Sequence, residues 1–351
     1  MRIEQLTFTR FIAAVAVVIY HYGLQTSLFG NDFTKPLFEQ AYSGVSYFFL
    51  LSGFVLIIAT KDKPNLSYGR FMQSRIGRLY PLYLGIVLLM TLHTGRLSVP
   101  VQDLLLAMSL TQAFVPGKAQ IINYAAWSLS VEFFFYLIFP LLLQYVYRRS
   151  RWQRLVPVVL LLWLLTQCLY HFVFDTGDAS GGYMATVRYY PLMHLNEFVI
   201  GNLAGMYYIS TKTQQYKSRL PLIVLLTIVL ALVLYNSHNE IYYGVGLLAP
   251  IYIGIIVLLA QDNSLLSRIF RHRIAVYQGE ISYGIYILQE CVWSALTDER
   301  LQRLLNVHIA AHPDLFFLLR LVVLILLSAL SYQLLEQPSR RWINRLGRSQ
   351  Q

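Results

Sequence analysis

Most charged residues of this chain fall in connections, and long apolar stretches recur from near its start almost to its end. The stretches read at about 8–26, 43–60, 79–94, 127–147, 155–173, 191–209, 220–236, 243–260, 274–294 and 314–335. Their lengths approach the roughly 20 residues a helix needs to cross the ~30 Å hydrocarbon core of a bilayer. A chain in lipid must satisfy its own backbone hydrogen bonds, so such runs read as helices. The pattern predicts an all-α, polytopic integral membrane protein of about ten transmembrane helices. These form a single membrane-embedded domain with a core over about 6–336, and a short basic tail follows at 337–351. The stretch 97–113, RLSVPVQDLLLAMSLTQ, is apolar over too short a length. It reads as an interfacial or re-entrant helix, the alternative being an eleventh span.

Charge orients this pattern. Apolar residues make up 56% and charged ones 13% of the 351 residues, against about 25% charged in soluble domains. Most of the 28 basic residues fall in alternate connections, 61–78, 148–154, 211–219 and 261–273, and in the tail from Glu336. By the positive-inside rule those connections and both termini are cytoplasmic. The first apolar stretch lacks a small-residue cleavage site and is not expected to be a signal peptide. A net charge of +11 would suggest nucleic acid in a soluble chain. Here the charges follow the loops, and no nucleic acid is expected. Cys168 and Cys291 lie in apolar stretches and read as small core residues. No metal-ligand spacing appears, so no metal or prosthetic group is expected.

Against this background the ionisable residues inside apolar runs carry the information, because such groups are expensive unless they face protein or a water-filled cavity. The first run, FTRFIAAVAVVIYHYGL, holds Arg10 and His21. Eleven helical steps return to within about 20° of the starting azimuth and separate the two by roughly 16 Å. His21 has the chemistry of a general base; a ring resting among headgroups is the plainer reading, as snorkelling is for Arg10. In SRIGRLYPLY, 74–83, Arg75 and Arg78 share a helical face ahead of Pro81, which is expected to kink the start of its span. Paired guanidiniums suit phosphate, although membrane anchoring also accounts for them. In WSLSVEFFFYLIFP, 127–140, Glu132 stands among Trp127, Ser128 and Ser130. It is expected to pair with Arg10, Arg75 or His21; the topology puts it at the depth of His21 and favours a support for that histidine, an assembly contact being the plainer reading. Glu197 lies in a span with Gly201 and Gly205, a small-residue contact face. Ser282 and Tyr283 are expected to hydrogen-bond between helices, and Glu336 with Pro338 to end the last one.

Together these motifs resemble the acyltransferase-3 family of integral membrane O-acyltransferases. The resemblance rests on Arg10 with His21, GVSYFFLLSGFVL at 44–56, Arg75–Arg78 before Pro81, WSLSVEFFFYLIFP, EFVIGNLAG at 197–205, GEISYGIYIL at 279–288, and Glu336 with Pro338. It implies a transferase that moves an acyl group, usually acetyl, from cytoplasmic acetyl-CoA as cosubstrate to an acceptor hydroxyl at the outer side of a bacterial cytoplasmic membrane. The implied acceptor is a sugar of an exopolysaccharide or other envelope glycan, or its lipid-linked precursor. Glycan-synthesis machinery and membrane lipids are the expected partners. In that reading Arg75 and Arg78 hold CoA phosphates and Arg10 orients the arm or thioester. His21, supported by Glu132, deprotonates the acceptor or transiently accepts the acyl group. Trp127, Ser130, Glu197, Ser282 and Tyr283 are supporting polar or packing residues. Relatives often carry a histidine where this chain has Gln289, which leaves His21 as the base, and no appended soluble esterase-like domain is expected. A transporter or flippase for a lipid-linked sugar, or a non-catalytic assembly or sensor subunit, are the rival classes. The paired broken spans of a transporter are not found.

Overall fold

A computed structural model describes residues 3–63, 66–93, 99–174, 182–211, 218–236, 241–305 and 312–346. Among them the structure is entirely helical. The helices are α1 (Gln5–Tyr22), α2 (Lys35–Glu39), α3 (Gly44–Thr60), α4 (Tyr68–His93), α5 (Val101–Met108), α6 (Trp127–Leu142), α7 (Trp152–Cys168) and α8 (Gly182–Tyr189). They continue with α9 (Leu195–Thr211), α10 (Leu220–Tyr235), α11 (Ala249–Gln261), α12 (Leu265–Phe270), α13 (Arg273–Ala295), α14 (Asp298–Leu305), α15 (Pro313–Ser331) and α16 (Gln337–Leu346). A helix stands at each of the ten stretches singled out by hydropathy. Among the described residues five helical segments, Ala41–Thr60, Tyr68–Leu92, Tyr124–Tyr147, Trp152–Phe172 and Pro313–Ile343, are long and apolar enough to cross a membrane. The protein is a polytopic membrane protein whose outer faces are apolar: Leu160, Leu161 and Leu164 of α7, Leu225 and Ile228 of α10, and Val322 and Leu326 of α15 are all exposed. Helices that turn leucine outward in this way are solvated by lipid.

The inner packing is organised on α1, α3 and α13. Helix α3 lies along α9 more extensively than any other pair, and α1 lies along α13, which in turn packs on α15. Small residues allow the first approach. A Cβ on Gly53 would stand 2.2 Å from the Phe198 carbonyl oxygen, and one on Gly201 would stand 2.1 Å from that of Leu50. Without a hydrophobic force between helices in lipid, such close backbone packing is a main source of association.

One expectation agrees with the described residues, that 97–113 is no full span, and three others are revised. The helix in the 97–113 stretch, whose first residues lie outside the described ones, is the eight-residue α5. At about 1.5 Å per residue it is roughly 12 Å long, too short to cross the bilayer core. Helix α4 begins at Tyr68 rather than near 79 and runs without interruption past Pro81, so Arg75 and Arg78 belong to the helix itself. Glu336 and Pro338 do not end the last helix. A π-helical turn at Tyr332–Glu336 leads directly into α16, which packs on α4. The wider turn frees a backbone step, and Pro338 then falls in the first turn of α16, where its missing N–H is tolerated. Finally, Cys291 is buried but Cys168 is exposed, and both are free thiols.

Candidate active site

A cavity of about 310 Å³ opens between α1, α3, α4, α6, α13 and the C-terminal segment. Each wall contributes polar groups from an otherwise apolar helix. Arg10 comes from α1, Ser52 from α3, Arg75 and Arg78 from α4, Glu132 and Tyr136 from α6, and Glu280 and Tyr283 from α13. Tyr332, Glu336, Gln337 and Arg340 close it from the last helices. The three-residue spacing of Arg75 and Arg78 puts both on the cavity face of α4. The Arg75 guanidinium lies 5.4 Å from the Phe71 ring centre and 5.8 Å from that of Tyr136, within cation–π range of both. Its buried Nε has no hydrogen-bond partner. Neither Arg10 nor Arg78 makes a hydrogen bond or close ion pair with a described residue.

The carboxylates are held differently. Ser52 Oγ donates to Glu132 Oε1 at 3.2 Å, and the Tyr136 hydroxyl, one turn along α6, donates to the same oxygen. Glu280 Oε2 accepts from the Tyr332 hydroxyl at 2.8 Å. The Tyr283 hydroxyl donates to the Leu79 carbonyl at 2.7 Å and so ties α13 to the arginine-bearing helix. Beyond Arg10, Phe48, Glu132 and Tyr283 lies a second, much smaller pocket of about 40 Å³, reaching Ser128, Ser282 and Tyr286. The Tyr286 hydroxyl donates to the Ala125 carbonyl at 3.3 Å.

His21 stands beyond this second pocket, exposed in the last turn of α1. Its ring centre is 4.8 Å from that of Tyr20 and 4.6 Å from that of Tyr124. Tyr124 is fixed in turn, its N–H donating to Glu290 Oε2 at 2.7 Å and its hydroxyl to that of Tyr22 at 2.8 Å. The structure therefore separates two residues that the sequence reading put at one depth. Tyr124 is the neighbour of His21, and eight helical steps carry Glu132 about 12 Å farther along, to the level of Arg10.

The remaining expected residues frame the site. Trp127 is buried against Tyr189 at 4.8 Å and His194 at 5.2 Å between ring centres. Ser130 Oγ donates to the Leu110 carbonyl at 2.6 Å, which pins α6 to the loop after α5. Glu197 lies outside both pockets, paired with His194 at 2.8 Å in a site closed to solvent. Ser282 donates to Gly279 of its own helix rather than to a neighbour. Sequence reasoning missed Ser52, Tyr136, Glu280, Tyr332 and Arg340. For Tyr136 the four-residue spacing from Glu132 was the available signal. Among the described residues no group of three His, Cys, Asp or Glu side chains is placed to hold a metal ion.

A bundle with an arginine-lined internal cavity is a frame for handling an anionic substrate inside a membrane. Similarity to known proteins gives the family. The family model described as "Acyltransferase domain" matches residues 3–333, and the chain belongs to this acyltransferase-3 family. It is 33% identical over 215 residues to the acyltransferase MdmB of Streptomyces mycarofaciens, covering 56% of this chain and 51% of that protein. The match thus spans about half the length of that relative. It is 27% identical over 310 residues to the putative acetyltransferase ORF330 of Acidianus two-tailed virus, with 86% of this chain and 84% of the other covered. An uncharacterized protein of Haemophilus influenzae is 26% identical over 247 residues, covering 62% of this chain and 98% of that protein. No solved structure matches the chain.

Proposed function

We propose that the protein is an acyl-CoA-dependent membrane O-acyltransferase, an O-acetyltransferase in the first instance. It moves the acyl group onto a hydroxyl of an envelope or exopolysaccharide sugar or of its lipid-linked precursor. The observation that carries the proposal is the convergence of Arg10, Arg75 and Arg78 on one cavity without a close carboxylate partner among the described residues. Guanidiniums left in that state suit phosphate and carbonyl oxygens. The cavity lies at the small end of the roughly 300–1,000 Å³ range of ligand pockets, which favours an extended arm inside it with the nucleotide at the mouth. With the basic connections facing the cytoplasm, this mouth is cytoplasmic in a ten-span protein of a bacterial inner membrane with both termini inside.

In this reading the acyl thioester enters past Arg10. Glu132, oriented by Ser52 and Tyr136, sets the polarity of the passage between the two pockets. His21 takes the proton of the acceptor hydroxyl. The freed oxygen attacks the thioester carbonyl, the carbon–sulfur bond breaks, and the proton passes to the leaving thiolate. The test is transfer from labelled acetyl-CoA to candidate envelope glycans by purified protein. His21→Ala is expected to abolish transfer while CoA binding persists; unchanged transfer would remove His21 from the chemistry.

A further inference from the structure

An acyl-CoA donor accounts for the arginines of the cavity but leaves one carboxylate oxygen without a hydrogen-bond donor. Glu336 is 7% exposed and lines the same cavity, yet its Oε1 has no hydrogen-bond partner. The other two cavity carboxylates are served, Glu132 by Ser52 and Tyr136 and Glu280 by Tyr332. A buried carboxylate oxygen without a donor is costly to keep. It is also out of place in a pocket built only for phosphate, which it repels. What suits it is an occupant that brings an N–H or O–H group.

Acyl-CoA has both kinds of surface. Its nucleotide end carries phosphates, and the arm leading to the thioester carries two amide N–H groups and a hydroxyl. The C-terminal segment offers complementary groups in the matching order. Glu336 is buried, and Arg340, one helical turn later, lines the cavity from an exposed position. This segment is fixed in place rather than trailing. Gln73 Nε2 donates to the Ile343 carbonyl at 2.8 Å, and a Cβ on Gly77 would stand 3.0 Å from the Ile343 side chain. Resting on the acyl-CoA reading of the cavity, we infer that the C-terminal segment is part of the donor site: Glu336 accepts a hydrogen bond from an N–H or O–H of the pantetheine arm, and Arg340 takes a phosphate of the nucleotide.

The two residues therefore read different parts of one ligand, and a pair of probes separates them. Calorimetry on the full-length detergent-solubilised protein compares CoA with adenosine 3′,5′-bisphosphate, which has phosphates but no arm. Glu336→Leu is expected to weaken CoA about tenfold or more and to leave the bisphosphate unchanged. Arg340→Ala is expected to weaken both ligands by a similar factor. Glu336→Gln keeps a carbonyl acceptor in the same shape, and CoA affinity between those of wild type and Glu336→Leu is expected. This variant also carries the test should Glu336→Leu fail to fold. Equal loss of both ligands in the Glu336 variants, or no loss of either, overturns the arm contact. An Arg340→Ala protein with unchanged affinities, or a wild type that binds CoA but not the bisphosphate, overturns the phosphate contact. A wild-type protein that binds no CoA defeats the acyl-CoA reading itself, which separates the two failures.

Discussion

Arg75 differs from an ordinary membrane-surface arginine in what surrounds it. Its guanidinium lies over the rings of Phe71 and Tyr136, and its buried Nε has no hydrogen-bond partner. A lysine keeps the charge but loses the forked geometry and the stacking. Arg75→Lys is therefore expected to weaken CoA binding about tenfold, taking cation–π contacts at ~0.5–2 kcal/mol each. Titration calorimetry measures this, and an unchanged affinity would place the phosphates elsewhere. Residues of this kind were legible in the sequence because a charge inside an apolar run is expensive and stands out. Ser52 and Tyr136 were not, although both hold Glu132, because hydroxyls are common in membrane helices and leave no such signal. Depth was misread at Glu132 for another reason. The short turn at Tyr124–Ala126 places Tyr124, and not the carboxylate, against His21, and the charge pattern has no resolution at that scale.

Among the elements, the seam between α3 and α9 depends on backbone approach. Gly201→Leu forces a side chain into the space 2.1 Å from the Leu50 carbonyl and is expected to cost at least ~1–3 kcal/mol through overpacking. Gly85→Ala on α4, where a Cβ meets nothing within 4 Å, is expected to be neutral or to stabilise by up to about 1 kcal/mol. Thermal unfolding of the solubilised variants decides, and equal effects at the two glycines would deny the seam its role. A second tie is electrostatic. Asp262, after α11, accepts from the Arg219 N–H at 2.7 Å and from the Ser267 hydroxyl at 2.6 Å, and also from Ser264. Burial pushes its carboxyl up, but these hydrogen bonds outweigh burial and hold it below its ordinary value. A carboxyl depressed on folding stabilises the protein above the ordinary carboxylate range, and this contribution is lost as the pH falls through the depressed value. Asp262→Asn is expected to lower the Tm by a few degrees at pH 7, with the difference closing at low pH; a pH-independent difference would show that charge is not the cause. The existence of the helices was legible from hydropathy, whereas their ends were not. Pro338 signals a stop by local rules, and only the preceding π-helical turn shows why the chain continues.

At the scale of the whole molecule, the Arg10 and His21 ends of α1 face different spaces, and the pocket between them is narrow. The larger cavity holds the arginines, the smaller one leads toward the layer of Tyr124 and His21, and Arg10, Phe48, Glu132 and Tyr283 belong to both. The separation of Arg10 from His21 along α1 follows from an eleven-residue spacing and was readable in advance. The constriction was not, because it is made by residues of four helices whose neighbours are set by packing. A passage of about 40 Å³ has room for little more than a water or two, whose share of liquid volume is about 30 Å³ each. Any acyl group passing from the donor side to His21 must displace side chains there. Of the four, Phe48 is the one without a polar group, and its ring meets that of Tyr286 edge-on at 5.9 Å between centres. On the proposed acyl transfer, the passage would select by size, short acyl groups passing with less displacement than long ones. Each added methylene that fits is worth ~1 kcal/mol or somewhat more in discrimination. Phe48→Ala is expected to raise transfer from butyryl-CoA relative to acetyl-CoA by about tenfold while leaving CoA binding intact, because the arginines and Glu336 are untouched. Competition between the two labelled donors in one assay reads the ratio directly. An unaltered preference would mean that acyl length is set at the acceptor side, beyond the constriction.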